Sequence, residues 1–139
     1  MNPPYFKRID FAKYTKALGL KITTEEDWCE IRDGIYLNDI ISKDESAEHN
    51  LTYIGLRFEK PTDGHYYKTQ VDTIYFETDG QIEFSTDNKN KEIYTFSTGD
   101  AIQIPVSVVR KIIPMGKYTE IKLIVEPAFD PADEIHVYD

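Results

Sequence analysis

With 139 residues, 40% of them hydrophobic, the chain suffices for one domain with a single core and falls short of two. Its 25 acidic residues against 16 Lys and Arg leave a net charge of -9, and no basic run collects along any segment, which argues against a nucleic-acid partner. The longest apolar runs, such as 102–105 and 121–125, fall far short of the ~20 residues of a membrane helix, so no membrane partner is expected either.

The chain starts Met-Asn-Pro-Pro-Tyr-Phe-Lys-Arg, with no apolar run leading to small residues, so no signal peptide is expected and the expected compartment is the cytoplasm. From residue 6 to 20, Phe6, Ile9, Phe11, Tyr14, Ala17 and Leu18 recur near helical spacing and predict a short helix or turn. Thr23 or Thr24, followed by Glu25, Glu26 and Asp27, has the makings of a capped helical turn. Cys29 stands alone. It cannot form an internal disulfide, and with no histidine near it in sequence it is expected as a half-buried hydrophobe rather than a catalytic thiol.

From residue 28 onward the pattern is one of strands. The segments 28–31, 35–41, 51–58, 65–67, 73–77, 81–84, 93–96, 101–104, 110–113 and 120–125 are short and rich in β-branched or aromatic residues. Turn chemistry separates them at Asp33-Gly34, 61–64, Asp79-Gly80, 87–90, 98–100 and Met115-Gly116. Strands of this length and spacing predict an all-β antiparallel sandwich or barrel. The expected organisation is one domain: an extension over 1–27, a barrel over 28–126 and a tail over 127–139.

The stretch 64–114 resembles the cupins, small jelly-roll β-barrels built around two motifs. The first runs from two histidines, one residue apart, to a glutamate, six residues and a glycine. Here Gly80 takes the glycine, Thr73 falls on the glutamate, and the histidine positions fall on Tyr66 and Lys68 or on Tyr67 and Thr69. In the second motif Gly99 and Pro105 match, whereas Ser107 and Arg110 stand in place of a glycine and a histidine. The segment 126–134 also resembles the tail that follows the last barrel strand in many members. The resemblance implies a cupin-type antiparallel jelly-roll barrel, a homodimer and a site in the barrel. Apolar residues on both faces of 73–76 and 121–125 point to a dimer as well, since one barrel interior needs fewer.

In that register the site has lost its usual metal ligands. A guanidinium at position 110 cannot coordinate a cation, and His49, His65 and His136 are far apart in sequence, so no metal and no cofactor are expected. A shifted register would gather His65, Tyr67 and Asp72. Arg110 becomes the expected anchor for a small anionic or polar ligand, with Thr73, Tyr75, Arg57 and Tyr53 as candidate neighbours and His65 and Tyr67 as candidate acid–base groups. The alternative for Arg110 is a structural ion pair with Glu77, Asp72 or Glu120. Three functions stay open: a metal-independent isomerase, epimerase or lyase; a binding or sensor module without chemistry; and a metal-dependent dioxygenase with unusual ligands.

Overall fold

A strand buried on both faces needs two apolar sets, and the central strands of this chain carry both. In the computed structural model, which describes residues 5–23, 25–87 and 89–138, two antiparallel sheets face each other across one set, and a helix covers the other. The strands are β1 (Lys7–Arg8), β2 (Cys29–Arg32), β3 (Ile35–Asp39), β4 (Thr52–Phe58), β5 (His65–Lys68) and β6 (Val71–Phe76), followed by β7 (Gly80–Ser85), β8 (Lys91–Phe96), β9 (Ala101–Ile104), β10 (Val109–Pro114), β11 (Thr119–Glu126) and β12 (Glu134–Tyr138). The helices are α1 (Phe11–Leu18) and α2 (Lys43–His49). A seven-stranded sheet runs β1-β9-β6-β11-β4-β3-β2, and a five-stranded sheet runs β12-β5-β10-β7-β8. This is a jelly-roll barrel whose sheets do not close along the β2 and β12 edges.

Between the sheets, Ile74, Phe76, Ile82, Phe84, Phe96, Ile102, Ile104 and Ile121 are almost fully buried and form the main core. Tyr5 stacks on Phe84 with ring centroids 4.9 Å apart, and Phe6 meets Phe96 edge-on at 5.2 Å, so the N-terminal segment fills one end of the barrel. β1 then joins the long sheet beside β9.

Helix α1 starts at Asp10, whose carboxylate accepts from the Lys13 amide at 3.1 Å, and stops at Gly19 in the left-handed region. It presses Phe11 onto the outer face of the long sheet, where Tyr53, Ala101, Ile124 and Tyr75 receive it. The apolar residues that pointed to a second copy are therefore covered by the chain's own helix. Of the helical turn expected at 23–27, Thr24 lies outside the described residues, and 25–27 form no helix. Cys29 is exposed on the edge strand β2, rather than half-buried. Two further elements, α2 and β12, lie where the sequence predicts loop and tail.

The two glycines of the motifs act differently. Gly99 has a φ of 94°, a turn conformation that side chains with a Cβ resist, and its amide donates to the Phe76 carbonyl at 2.8 Å. Gly80 has an ordinary φ but no room: a Cβ there would stand 2.5 Å from Thr119 Cγ2 and 3.1 Å from Phe76. Thr119 cannot yield, because its hydroxyl donates to the Asp79 carbonyl at 2.8 Å and accepts from the Met115 amide at 2.9 Å. Gly80→Ala is expected to destabilise the fold by roughly 1–3 kcal/mol through overpacking, measured as a shift in the urea midpoint; an unchanged midpoint would show that Thr119 is less firmly held than these bonds imply.

Candidate functional site

The space that the core leaves unfilled lies toward the open edges. It is a cavity of about 630 Å³, within the range of small-molecule sites. Strand alternation decides what reaches it. From β4 come Thr52, Ile54, Leu56 and Phe58, from β6 Asp72 and Ile74, and from β11 Ile121, Leu123 and Val125. The short sheet supplies Tyr66 and Lys68 from β5 and Ile112 from β10, while Phe129, Glu134 and His136 form a further wall from the C-terminal segment. Most of the lining is apolar. Arg32 and Asp39 reach it from β2 and β3, and a further group of polar side chains gathers at the end where β5, β6 and β12 approach.

Asp72 organises that end. Its carboxylate, 2% exposed, accepts from Arg110 Nη2 and from Lys68 Nζ, the latter at 3.1 Å to Oδ2 and 3.2 Å to Oδ1. Arg110, 1% exposed, also donates to the Val108 carbonyl at 2.9 Å, and its guanidinium carbon lies 5.1 Å from the centre of the Tyr66 ring. Burial pulls the Arg110 guanidinium down, and the Asp72 carboxylate more than offsets this, so the charge stays. Lys68 is 4% exposed, lines the cavity and lies 5.3 Å from the centre of the Phe129 ring. Burial pushes the Tyr66 phenol up to about 12, with Arg110 pulling the other way, so Tyr66 is a neutral hydroxyl at ordinary pH.

No family model and no curated protein sequence matches the chain. Solved structures do match. Pac13 from Streptomyces, a nucleoside dehydratase, has a TM-score of 0.64 and 22% identity over 85% of this chain and 90% of its own. A variant of it with uridine aligns equally well. Oxalate decarboxylase from Bacillus subtilis has a TM-score of 0.66 at 12% identity over 84% of this chain. The chain has the cupin fold. It spans 31% of the decarboxylase's length, about a third of that protein.

In this barrel the two first-motif positions that face inward are Tyr66 and Lys68. Asp72, not Thr73, points into the barrel from β6. Seven residues, 73–79, therefore separate the inward side chain from Gly80, where the motif count assumes six. That single residue reverses every assignment along β6. Thr73 is fully buried on the outer face, where its hydroxyl accepts from Gln103 Nε2 at 3.1 Å. Tyr75 stacks on Phe11 at 4.9 Å and Tyr53 meets Phe11 edge-on at 6.2 Å, both outside the cavity. Arg57 pairs with Glu120 at 2.8 Å and lies 4.2 Å from the Trp28 ring centre, again outside. His65 and Tyr67 take the opposite parity to Tyr66 and Lys68. His65 is buried against Glu83, with Nε2 2.6 Å from Oε2.

Arg110 does point into the barrel, as does Ile112, but Asp72, the Val108 carbonyl and the Tyr66 ring close around it, and it does not line the cavity. The cations that do are Lys68, which is buried, and Arg32 of the edge strand β2, which is exposed. Lys68 and Arg110 offer a divalent metal no lone pair, the carboxylate between them is already shared, and among the described residues Glu134 and His136 do not converge with Asp72 into a set of ligands. Away from the barrel, Glu45, Glu48 and His49 converge on the surface of α2.

Glu134 and His136 are residues the sequence reading left outside its site; Tyr66 and Lys68 entered it only as one of two registers of the first motif, and Asp72 only as an alternative partner of Arg110, the pairing now seen, or a ligand in a shifted register. Alternation within His65-Tyr66-Tyr67-Lys68 offered two parities, and the choice between them depends on pairing with β10, where Tyr66 faces Arg110.

Asp72→Asn would leave two buried cations without their carboxylate, with an expected loss of roughly 3–5 kcal/mol of stability by chemical denaturation. Tyr66 and Tyr53, the latter also pushed up to about 12 by burial and Glu77, should be the last tyrosines to ionise in an ultraviolet titration. Because their folded values lie above the ordinary 10.0, the stability they contribute is complete below pH 10.0 and is lost as the pH climbs toward 12. Ionisation of all tyrosines together near 10 would contradict the burial described.

Proposed function

We propose that this cupin binds a small organic molecule in the barrel, with an apolar or planar body against the aliphatic walls and an anionic or strongly polar head against Lys68. The observation that carries this is a buried ammonium on the wall of a cavity lined mainly by aliphatic side chains. Asp72 is shared with Arg110, so inside the barrel the two cations face a single buried carboxylate, while Glu134, the ladder neighbour of Lys68, stands on the β12 wall. A carboxylate or similar head brought to Lys68 gives its ammonium a further acceptor beside the shared Asp72, in surroundings where unsatisfied charge is costly.

The reaction class we favour is metal-independent proton transfer, of the kind an isomerase, epimerase or lyase performs. Tyr66, neutral and beside Arg110, can donate a hydrogen bond to a developing oxyanion, and Lys68 can stabilise the same charge. The dehydratase Pac13 supports this reading as a structural neighbour of similar length, matched over 90% of its chain, whose variant structure includes uridine. A sensor would use the same cavity without turnover.

Benzoate serves as the simplest planar anion for the test. Binding followed by NMR is expected to shift signals of Lys68, Tyr66 and Ile74. Lys68→Met should weaken it by about 10- to 150-fold, the range for a hydrogen bond to a charged group. Equal affinity in Lys68→Met, or shifts confined to the outer face around Tyr53 and Tyr75, would defeat the proposal.

A further inference from the structure

The long-sheet wall of the cavity is laid out in rows, because partners in the β3–β4–β11–β6 ladders stand side by side. Thr52, Val125 and Asp72 form the row at the Lys68 end. Ile54, Leu123 and Ile74 form the second row, Leu37, Leu56 and Ile121 the third, and Ile35 and Phe58 the last. Rows on one face lie two residues apart, so the path from first to last covers roughly 20 Å. The third row continues into Phe76 and the last into Thr119, both fully buried and outside the cavity, so the space slants toward the β2 edge as it goes. It is a trough and not a round chamber.

The middle rows dictate what can lie in it. β4, β6 and β11 each have a strand on either side, so their amides and carbonyls are spent within the sheet. The second and third rows present only aliphatic side chains, apart from Asp39, which is exposed at the rim beside Ile54. No aromatic ring of the lining stands in either row. On the facing wall, Lys68, Tyr66, Glu134 and His136 are gathered around the Asp72 end. Beyond them the short-sheet side offers Ile112 and Thr62, and the Thr62 hydroxyl already accepts from the Ile112 amide at 3.1 Å. A hydroxyl, amide or ring nitrogen laid along the middle rows would lose its water and gain no partner from that wall.

We infer that the molecule bound here is an acyl carboxylate, with its head at Lys68 and a saturated chain running along the rows toward Ile31 and Arg32 on the β2 edge. The position of the head rests on the barrel-binding reading above. The choice of a flexible chain rests on the rows alone: a single planar ring leaves most of the trough empty, and a nucleoside brings polar groups to walls that cannot answer them. The trough opens where Ile31 is 50% exposed, so a chain that outgrows it leaves by that edge.

Titration of the full chain with hexanoate, octanoate and decanoate, followed by NMR, tests the class. Affinity should rise about ten-fold at each step, the worth of two buried methylenes, and decanoate should bind more tightly than benzoate or uridine. Signals of Leu37 and Leu56 should move with decanoate and stay still with hexanoate. Leu37→Trp, whose ring would fill the third row, should abolish the gain from octanoate to decanoate and keep the gain from hexanoate to octanoate. Equal affinity along the series, uridine ahead of decanoate, or decanoate shifts that end at Ile74 would overturn the acyl assignment, whatever the fate of the variant. In that event weaker binding of benzoate and hexanoate to Lys68→Met would still uphold the head at Lys68. If no acid binds, the barrel-binding reading falls and the acyl assignment with it.

Discussion

A carboxylate from one sheet, Asp72, holds two cations from the other. Arg110 and Lys68 stand on β10 and β5 of the short sheet, and Asp72 stands on β6 of the long one, so this triplet ties the two layers together inside the barrel. Groups so deeply buried tolerate little displacement, because any separation leaves a charge without water or partner. The tie divides the interior. On one side the aromatic rings of Phe76, Phe84 and Phe96, capped by Tyr5 and Phe6, pack without leaving space; on the other the aliphatic rows of β4, β6 and β11 face an open volume. Site and core are two sides of one electrostatic clamp.

The likeness to metal-binding cupins is then one of scaffold. The same inward positions that would carry ligands for a cation carry cations themselves, and Asp72 is spent between them. What the barrel offers a small molecule is an ammonium, a neutral phenol and an imidazole on facing strands, with hydrocarbon around them. Such a set discriminates by charge and hydrogen bonding, and it needs no metal to do so.

Much of the fold was legible in the sequence, because turns and alternation are local. Gly99 and Gly80 marked their corners correctly, though for different reasons, one conformational and one steric. The parity of β6 was not legible. It depends on the length of the 77–79 connection, and one residue there sends Asp72 inward and Thr73 and Tyr75 outward. The outward Tyr75 then had a local use the sequence did not announce: with Tyr53 it forms the bed for Phe11 of α1. Helix α2 was missed because it buries nothing and so shows no apolar period, although Ser42 and Glu45 stand at capping spacing and the Ser42 hydroxyl accepts from the Glu45 amide. β12 was read as tail because its alternation is inverted. Its polar residues Glu134 and His136 face the cavity, and Ile135 and Val137 face away.

That inversion has a bearing on how such a protein diversifies. β12 contributes side chains to the cavity yet none of its described residues is buried, and it contacts the barrel along a single neighbour, β5. A substitution at Glu134 or His136 therefore changes what the cavity presents without disturbing the interior packing that determines whether the chain folds. The charged tie at Asp72 allows no such freedom. Selection can rewrite ligand preference on the last strand while the foundation stays constant, which separates the chemistry that must vary from the chemistry that must not.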